Sequence, residues 1–184
     1  MERSNVEGRP ELLLRVPGSR FVIRADMTDS LRKRLLETFA GHGVGAERLE
    51  LVNRLPRPLY LELIKRMDIA LDPFPFNGHT TTCDCIWQGV PVVTLSGDTY
   101  VSRFGGSGLK TLGLDEVITD SREGYLETAV ALARDVERLK HLRATLRERM
   151  AASPLVDFVG FTRNLEAAYR KMWRDWLAEP ASQS

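Results

Sequence analysis

Residues 72–89 read DPFPFNGHTTTCDCIWQG, and this stretch decides which fold we expect for the chain. It begins where an apolar run, residues 68–72, predicts a buried strand. The prolines that follow fix the backbone angle φ and cannot occupy a central strand, so they mark a loop. Within this loop, Asn77 and Gly78 form a turn signal. The chain therefore passes from a strand into a loop with a defined turn.

A helix and a second strand are predicted directly after this loop. Residues 80–88 have a helical pattern, and Gly89 stops the helix. Residues 91–95 are apolar and predict the next buried strand. The unit is therefore strand, loop, helix and strand. Its loop lies at the carboxyl end of a strand, where open α/β sheets bind their ligands.

The start of this helix has the chemistry of an anion-binding site. Gly78 allows a ligand to approach the backbone closely. The first backbone amides, around Thr80 and Thr81, have no partner within the helix and lie at the positive end of its dipole. The two hydroxyls add donors, so a phosphate fits there. Asp84 shares this helix face. Because a carboxylate repels phosphate, we expect Asp84 to bind sugar hydroxyls instead. A phosphate site beside a sugar site indicates a nucleotide.

The same residues also have ordinary structural interpretations. Thr80 or Thr81 could simply cap the helix, which is worth about 1 kcal/mol. His79 could be an ordinary loop histidine, and Asp84 could be a solvated helix residue. The spacing alone does not decide between a nucleotide site and these alternatives.

The rest of the chain continues the alternation of strands and helices. Strands are predicted at residues 21–25, 49–53 and 116–118, and helices at residues 10–16, 57–67, 100–112 and 158–178. Thr28 or Asp29 caps a helix that ends near Gly41. Ser121 caps a helical region that breaks into two near Asp135. This alternation predicts an α/β fold, a Rossmann-like, mostly parallel sheet with helices on both faces.

Two further segments after strands supply candidate residues. An arginine such as Arg57 can pair with phosphate or ribose, and a ring such as that of Tyr60 can stack on a base. Equally, they could be a solvated charge and a packing residue. Arg103 lies in a predicted helix with three glycines, which indicates either poor helicity or close packing. This arginine is either part of the site or a structural ion-pair residue.

An aromatic stripe at helical spacing marks the last predicted helix. We interpret the stripe as a core-facing surface rather than a ligand-binding one. Its members are Phe161, Leu165, Ala168, Tyr169, Met172, Trp173 and Trp176.

Composition argues against several functional classes. Of the 184 residues, 43% are hydrophobic and 28% charged, as in an ordinary globular domain. The net charge of +1 gives no indication of nucleic-acid binding. No apolar run predicts a membrane span, and no signal peptide is visible. Cys83 and Cys85 lie two residues apart in a helix and cannot pair, so we expect free thiols, a cytoplasmic location and no metal site.

Taken together, these motifs resemble the C-terminal catalytic lobe of the O-GlcNAc transferase/SPINDLY family, glycosyltransferase family 41. The similarity extends from about Leu12 to about Trp176. The Asn-Gly-His-Thr-Thr run followed by Asp-x-x-Trp-x-Gly-x-Pro is specific to this group. The residues that carry the resemblance are Leu71, Asp72, Pro75, Asn77, Gly78, His79, Thr80, Thr81, Asp84, Trp87, Gly89, Pro91, Val92, Val93, Thr94, Ser102 and Arg103.

The resemblance implies a domain organisation and an activity. Residues 9–178 would be the C-terminal, nucleotide-sugar-binding lobe of a two-lobed GT-B glycosyltransferase, without that lobe's first strand, between disordered ends at 1–8 and 179–184. The reaction would be inverting transfer of GlcNAc from UDP-GlcNAc to serine or threonine of a polypeptide, with no cofactor. The implied partners are the nucleotide sugar, the acceptor polypeptide, and a missing N-terminal lobe or split-enzyme partner, but no nucleic acid or membrane. In GT-B proteins the last helix crosses back toward the other lobe, so the resemblance implies that part of the aromatic stripe is a surface between the lobes.

The resemblance also assigns roles to residues. Thr80 and Thr81 would hold the diphosphate, Asp84 the ribose, and His79 would lie beside them. The complete donor-binding set that we expect is Gly78, His79, Thr80, Thr81, Asp84, Arg57 and Tyr60. No catalytic base is identified, and His79 and Arg103 are candidates for stabilising the leaving group.

Two departures from the family pattern leave alternatives open. Arg57 and Tyr60 stand where animal members carry a lysine and a histidine that contact the nucleotide. GDP-fucose or UDP-glucose is therefore an alternative donor. The missing lobe leaves a second alternative, a truncated or degenerate module that binds a nucleotide or a partner without catalysis.

Overall fold

The computed structural model of the chain describes residues 9–178. The disorder expected at residues 1–8 and 179–184 lies outside these residues. Within the described part, eight helices accompany five short strands. The strands are β1 (Phe21–Arg24), β2 (Leu49–Val52), β3 (Ala70–Leu71), β4 (Val92–Leu95) and β5 (Ile118–Thr119), and the helices are α1 (Arg9–Arg15), α2 (Asp29–Gly41), α3 (Arg57–Lys65), α4 (Thr80–Trp87), α5 (Phe104–Thr111), α6 (Arg122–Arg134), α7 (Val136–Ala151) and α8 (Phe158–Ala178).

All paired strands run parallel, which confirms the predicted α/β class. β1 pairs with β2, with Phe21 opposite Leu49. β3, β4 and β5 form a separate sheet in that order, with Leu71 opposite Val93. Parallel neighbours need crossover connections, and α2, α4 and α5 supply them. The carboxyl ends of β3, β4 and β5 therefore lie at one edge of their sheet.

Side-chain caps define where several helices begin. The Thr28 hydroxyl accepts a hydrogen bond from the Leu31 amide at 3.2 Å, and this confirms one predicted start. Ser121 does the same for α6, and Asp135 caps α7 directly after α6 ends. The predicted break near Asp135 is confirmed, because an aspartate side chain that bonds the next turn favours a new helix start.

The larger hydrophobic core surrounds β4. Val92 and Val93 are fully buried between helices on the two faces of the sheet, and Ile86, Leu109 and Leu146 pack with them. A smaller cluster formed by Leu13, Phe39 and Val44 packs with residues of β1 and β2. The burial of β4 explains why its sequence is an unbroken apolar run rather than an alternating one.

The helix predicted at residues 100–112 begins later than expected. Tyr100–Ser102 form a turn of 3-10 helix, and α5 starts only at Phe104. The cause is local, since Thr99 and Ser102 bond each other through their hydroxyls at 2.9 Å and the Arg103 amide donates to the Tyr100 carbonyl. Such a bond between residues three apart closes the tighter helix type.

The strand predicted at residues 116–118 is also displaced. Asp115–Val117 form another turn of 3-10 helix, and β5 occupies Ile118–Thr119 instead. The Val117 side chain is buried without belonging to the strand. Val117 packs on the core from a turn, and in sequence such a buried apolar residue has the same pattern as a strand residue.

The core-facing role predicted for the aromatic stripe of α8 is wrong. No residue of this helix is buried within the described chain. Phe161, Tyr169, Trp173 and Trp176 each expose more than half of their surface, and the two tryptophan rings stack at 5.2 Å between centroids. Periodicity identifies an apolar face of a helix, but it does not show what covers that face.

Candidate functional site

The loop after β3 is held by a buried carboxylate, Asp72. Its Oδ1 accepts the Gly78 amide at 2.7 Å, and its Oδ2 accepts the Thr94 hydroxyl at 2.7 Å. Burial raises the pKa of Asp72 to about 6, although these hydrogen bonds act in the opposite direction. Asp72 thereby links the end of β3 to β4 and to Gly78, two residues before the start of α4.

Gly78 is required by close packing rather than by an unusual backbone angle. A Cβ atom at this position would collide with the Thr81 hydroxyl and would lie 2.7 Å from the Thr82 hydroxyl. The Thr82 hydroxyl in turn donates to the Gly78 carbonyl at 3.0 Å. The turn and the first helical turn therefore form one compact unit with space for no side chain at residue 78.

The start of α4 offers unused donors. His79 occupies the position before the helix and makes no side-chain cap, so the alternative that Thr80 or Thr81 caps the helix is wrong. The amides of Thr80 and Thr81 find no hydrogen-bond partner among the described residues, and both side chains are exposed. This arrangement leaves amide donors at the positive end of a helix dipole, next to two hydroxyls.

The His79 imidazole lies in a group of aromatic rings beside these donors. It stacks on Phe104 with 3.3 Å between ring centroids and 10° between planes. Tyr100 meets it edge-on at 6.2 Å, and Phe76 lies 6.4 Å away. The Nε2 atom is buried and has no hydrogen-bond partner in the described part of the chain. The ring orientation is therefore set by stacking, and one ring nitrogen keeps its hydrogen-bonding capacity.

Asp84 is paired rather than solvated. Arg57 donates to both of its carboxylate oxygens, at 2.8 and 3.1 Å, and the Asp84 side chain is only 14% exposed. This hydrogen bonding raises the pKa of the Arg57 guanidinium. The pair joins the starts of α3 and α4, so two residues of the expected donor-binding set do come together.

Tyr60 lies beside this ion pair and is already covered by a cation. The Arg24 guanidinium lies 4.5 Å from the centroid of the Tyr60 ring. Burial raises the pKa of the phenol to about 12. The ring is thus half-buried and stacked before any ligand arrives, and its role in base stacking stays a prediction.

Arg103 and two glycines of α5 make structural contacts with other residues of the described chain. Arg103 donates from Nε to the Gly97 carbonyl at 2.9 Å, while its distance to Asp98 is 3.9 Å. Gly105 and Gly106 lie against Asp72 and Ile118, where a Cβ atom would be crowded. Close packing therefore explains these two glycines. A contact of Arg103 with the donor stays a prediction.

The sequence patterns missed the two residues that hold the loop from inside. The patterns mark Asp72 as the end of a strand and as part of the family motif, and neither indicates its bonds to Gly78 and Thr94. They mark Asn77 as a turn residue of the same motif, but it is only 1% exposed and its amide group donates to the Pro73 and Leu95 carbonyls. A polar residue at the carboxyl end of a buried strand was the available signal.

Within residues 9–178, no three histidine, cysteine, aspartate or glutamate side chains are grouped so that they could hold a metal ion. None of the helices in this range is long and apolar enough to cross a membrane.

Parallel strands with crossover helices and a polar loop at the strand ends define a Rossmann-like α/β protein. The family resemblance is confirmed as well. Residues 10–165 match the sequence profile of the family described as Glycosyl transferase family 41, and the chain belongs to this family.

Named relatives agree with this assignment. The probable UDP-N-acetylglucosamine–peptide N-acetylglucosaminyltransferase SPINDLY of Solanum lycopersicum is 41% identical over 169 residues, and the corresponding SEC protein of Arabidopsis thaliana is 33% identical over 164. These alignments cover 89% and 88% of this chain but only 18% and 17% of the relatives. The solved structure of a Thermobaculum terrenum O-GlcNAc transferase mutant superposes with a TM-score of 0.88 and 36% identity, covering 95% of this chain and 34% of that one.

Proposed function

We propose that residues 9–178 are the C-terminal, nucleotide-sugar-binding lobe of an inverting protein O-glycosyltransferase. The donor would be UDP-GlcNAc, and the acceptor a serine or threonine of a polypeptide. The observation that carries this proposal is the uncapped start of α4 beside Gly78, in a chain whose relatives are named as UDP-N-acetylglucosamine–peptide transferases. The two free cysteines support a cytoplasmic location, where thiols stay reduced.

The diphosphate is the part of the donor that the start of α4 suits best. When the glycosidic bond breaks, negative charge develops on the departing nucleoside diphosphate. The amides of Thr80 and Thr81 and their hydroxyls are already oriented and would stabilise that charge without reorganisation. His79, with a buried and unpartnered Nε2, would add a donor at the same place. Arg103, beside the loop, is the other candidate for this task.

The nucleoside would lie toward α3. Asp84 accepts two hydrogen bonds from Arg57 but has further lone pairs, which suit ribose hydroxyls. Arg57 keeps the carboxylate neutralised, so the phosphates nearby would not be repelled as strongly. Tyr60 would contact the base with the ring area that Arg24 leaves uncovered.

The acceptor polypeptide and a second lobe are the other partners that we propose for this lobe. The chain spans 18% of the length of the SPINDLY relatives it matches, so the acceptor site and a second lobe are assigned to other polypeptide. The exposed aromatic face of α8 is suited to contact that second lobe, because an exposed apolar patch of this kind marks an interaction surface.

Titration calorimetry with UDP tests the proposed site. Thr81→Val removes a hydroxyl donor, and Asp84→Ala removes the ribose acceptor. Each change is expected to weaken UDP binding at least about 10-fold, because a hydrogen bond to a charged group is worth about 1.5–3 kcal/mol. Thr145→Val and Asp175→Ala, which change a half-buried residue of α7 and an exposed residue of α8, should bind as the wild type does.

The nucleotides that the chain binds distinguish this proposal from its alternatives. If the wild-type chain binds none of UDP, GDP or their sugars at millimolar concentration, the nucleotide-binding role is wrong. If GDP competes better than UDP, the donor is a GDP-sugar, which the Arg57–Asp84 pair and the covered Tyr60 leave open.

A further inference from the structure

Asp72 is the one charged residue in the buried interior of the described chain. It exposes only 4% of its surface, and both carboxylate oxygens accept a hydrogen bond. It lies directly behind the turn at Gly78, on the side away from solvent. A buried carboxylate carries a large desolvation cost, so its presence beside a ligand-binding edge calls for an explanation.

Its surroundings leave Asp72 no alternative position. Thr94 on β4 bonds one oxygen, and Gly105 on α5 approaches that oxygen so closely that a Cβ atom would collide with it. Tyr125 on α6 donates its hydroxyl to the Asp72 backbone carbonyl at 3.1 Å. β4 and α5 thus confine the carboxylate while α6 holds the backbone of the same residue, and the other carboxylate oxygen accepts the Gly78 amide.

We propose that Asp72 is a positioning residue for the nucleotide-sugar site, whose carboxylate fixes the Gly78 turn and whose negative charge couples donor binding to the uptake of a proton. The inference rests on the proposed function. Asp72 does not contact the donor itself. It acts through Gly78 and through Thr82, which is bonded to the Gly78 carbonyl.

The coupling follows from charge. A diphosphate at the start of α4 would lie near the ionised carboxylate, and like charges disfavour each other. Protonating Asp72 removes this repulsion, so the bound state holds the proton more tightly than the free state. Burial already raises the pKa of Asp72 to about 6, so a further rise on binding moves this pKa toward neutral pH.

Few other titratable groups lie near Asp72. His79 at the start of α4, Cys85 on α4 and Tyr125 on α6 are the groups that interact electrostatically with it. β4 and α5 present Thr94 and Gly105, which do not titrate. Burial raises the pKa of both Cys85 and Tyr125, so neither the thiol nor the phenol ionises near neutral pH.

Asp72→Asn separates charge from shape. The asparagine oxygen can still accept the Gly78 amide, and its NH₂ group can donate to the Thr94 hydroxyl, so the fold is retained. Calorimetry with UDP-GlcNAc, performed in two buffers of different ionisation enthalpy, counts the protons taken up. The doubly esterified diphosphate of this donor does not titrate near neutral pH. We expect the wild type to take up protons clearly on binding and the variant to take up fewer. His79 is present in both proteins, so the difference reports on Asp72.

A second measurement needs no ligand. The amide resonance of Gly78 should shift with pH through about 6 in the wild-type chain and lose this titration in Asp72→Asn. Equal proton uptake by the two proteins, or an unchanged Gly78 titration, would overturn the inference. A wild type that ignores UDP-GlcNAc contradicts the proposed function instead, and the Gly78 titration then still decides whether Asp72 holds the turn.

Discussion

Gly105→Ala is expected to lower the free energy of unfolding by about 3 kcal/mol. The added methyl group would collide with Asp72 Oδ2 and lie 2.7 Å from the Thr94 hydroxyl, both of which are buried. Either α5 must move away from the sheet or Asp72 must give up a hydrogen bond. In the second case the Thr94 hydroxyl, which bonds that oxygen, loses its partner. A displaced carboxylate would also disturb the bond from its other oxygen to the Gly78 amide, so the variant should bind UDP less tightly.

Gly108→Ala is the matched control within the same helix. A Cβ atom at residue 108 meets nothing within 4 Å. The alanine is therefore expected to stabilise the chain by about 0.5–1 kcal/mol through its better helix propensity. Urea unfolding of the two variants measures the difference. Equal stabilities would show that α5 does not pack on Asp72 as described.

Gly89→Ala is expected to cost about 4 kcal/mol, from two separate causes. Gly89 has a φ of 80°, and a left-handed conformation costs an alanine about 1–2 kcal/mol. Its Cβ atom would also lie 2.7 Å from the Arg143 backbone carbonyl on α7. Because backbone cannot move aside as a side-chain end can, α4 and α7 must separate, which adds roughly another 1–3 kcal/mol.

Gly113→Ala isolates the first of these causes. Gly113 ends α5 with a φ of 66°, as Gly89 ends α4, but it has open space around its Cβ position. We expect a loss of only about 1–2 kcal/mol. Thermal or urea unfolding of both variants gives the comparison, and a Gly113→Ala loss as large as that of Gly89→Ala would contradict the close contact between α4 and α7.

Local signals were sufficient for much of the fold. The helix after Gly78 and its stop at Gly89 follow from backbone preferences of neighbouring residues, which act within one turn of chain. The same is true of the cap at Ser121. The 3-10 turn at Tyr100–Ser102 was missed because hydroxyl bonds between Thr99 and Ser102 outweighed the apolar pattern around them. The exposure of α8 could not be predicted from its periodicity, since burial depends on which surfaces meet; only the family resemblance indicated a surface between lobes.

The candidate site was predictable only where its chemistry is local. The threonines and glycine at the start of α4 lie within a few residues of each other, so their grouping at an uncapped helix start could be predicted. The Arg57–Asp84 pair joins residues 27 apart, and the Asp72–Thr94 bond joins residues 22 apart. Contacts of this length depend on how the strands are ordered, and no pattern in either segment indicates its partner.

The division into two sheets affects how the molecule opens. Within residues 9–178, β1 and β2 are hydrogen-bonded only to each other among the strands, and they pack on their own apolar cluster of Leu13, Phe39 and Val44. Transient opening of this half therefore breaks no ladder in the half that contains Asp72 and α4. Fluctuations of the amino-terminal strands can occur while the loop between β3 and α4 keeps its shape.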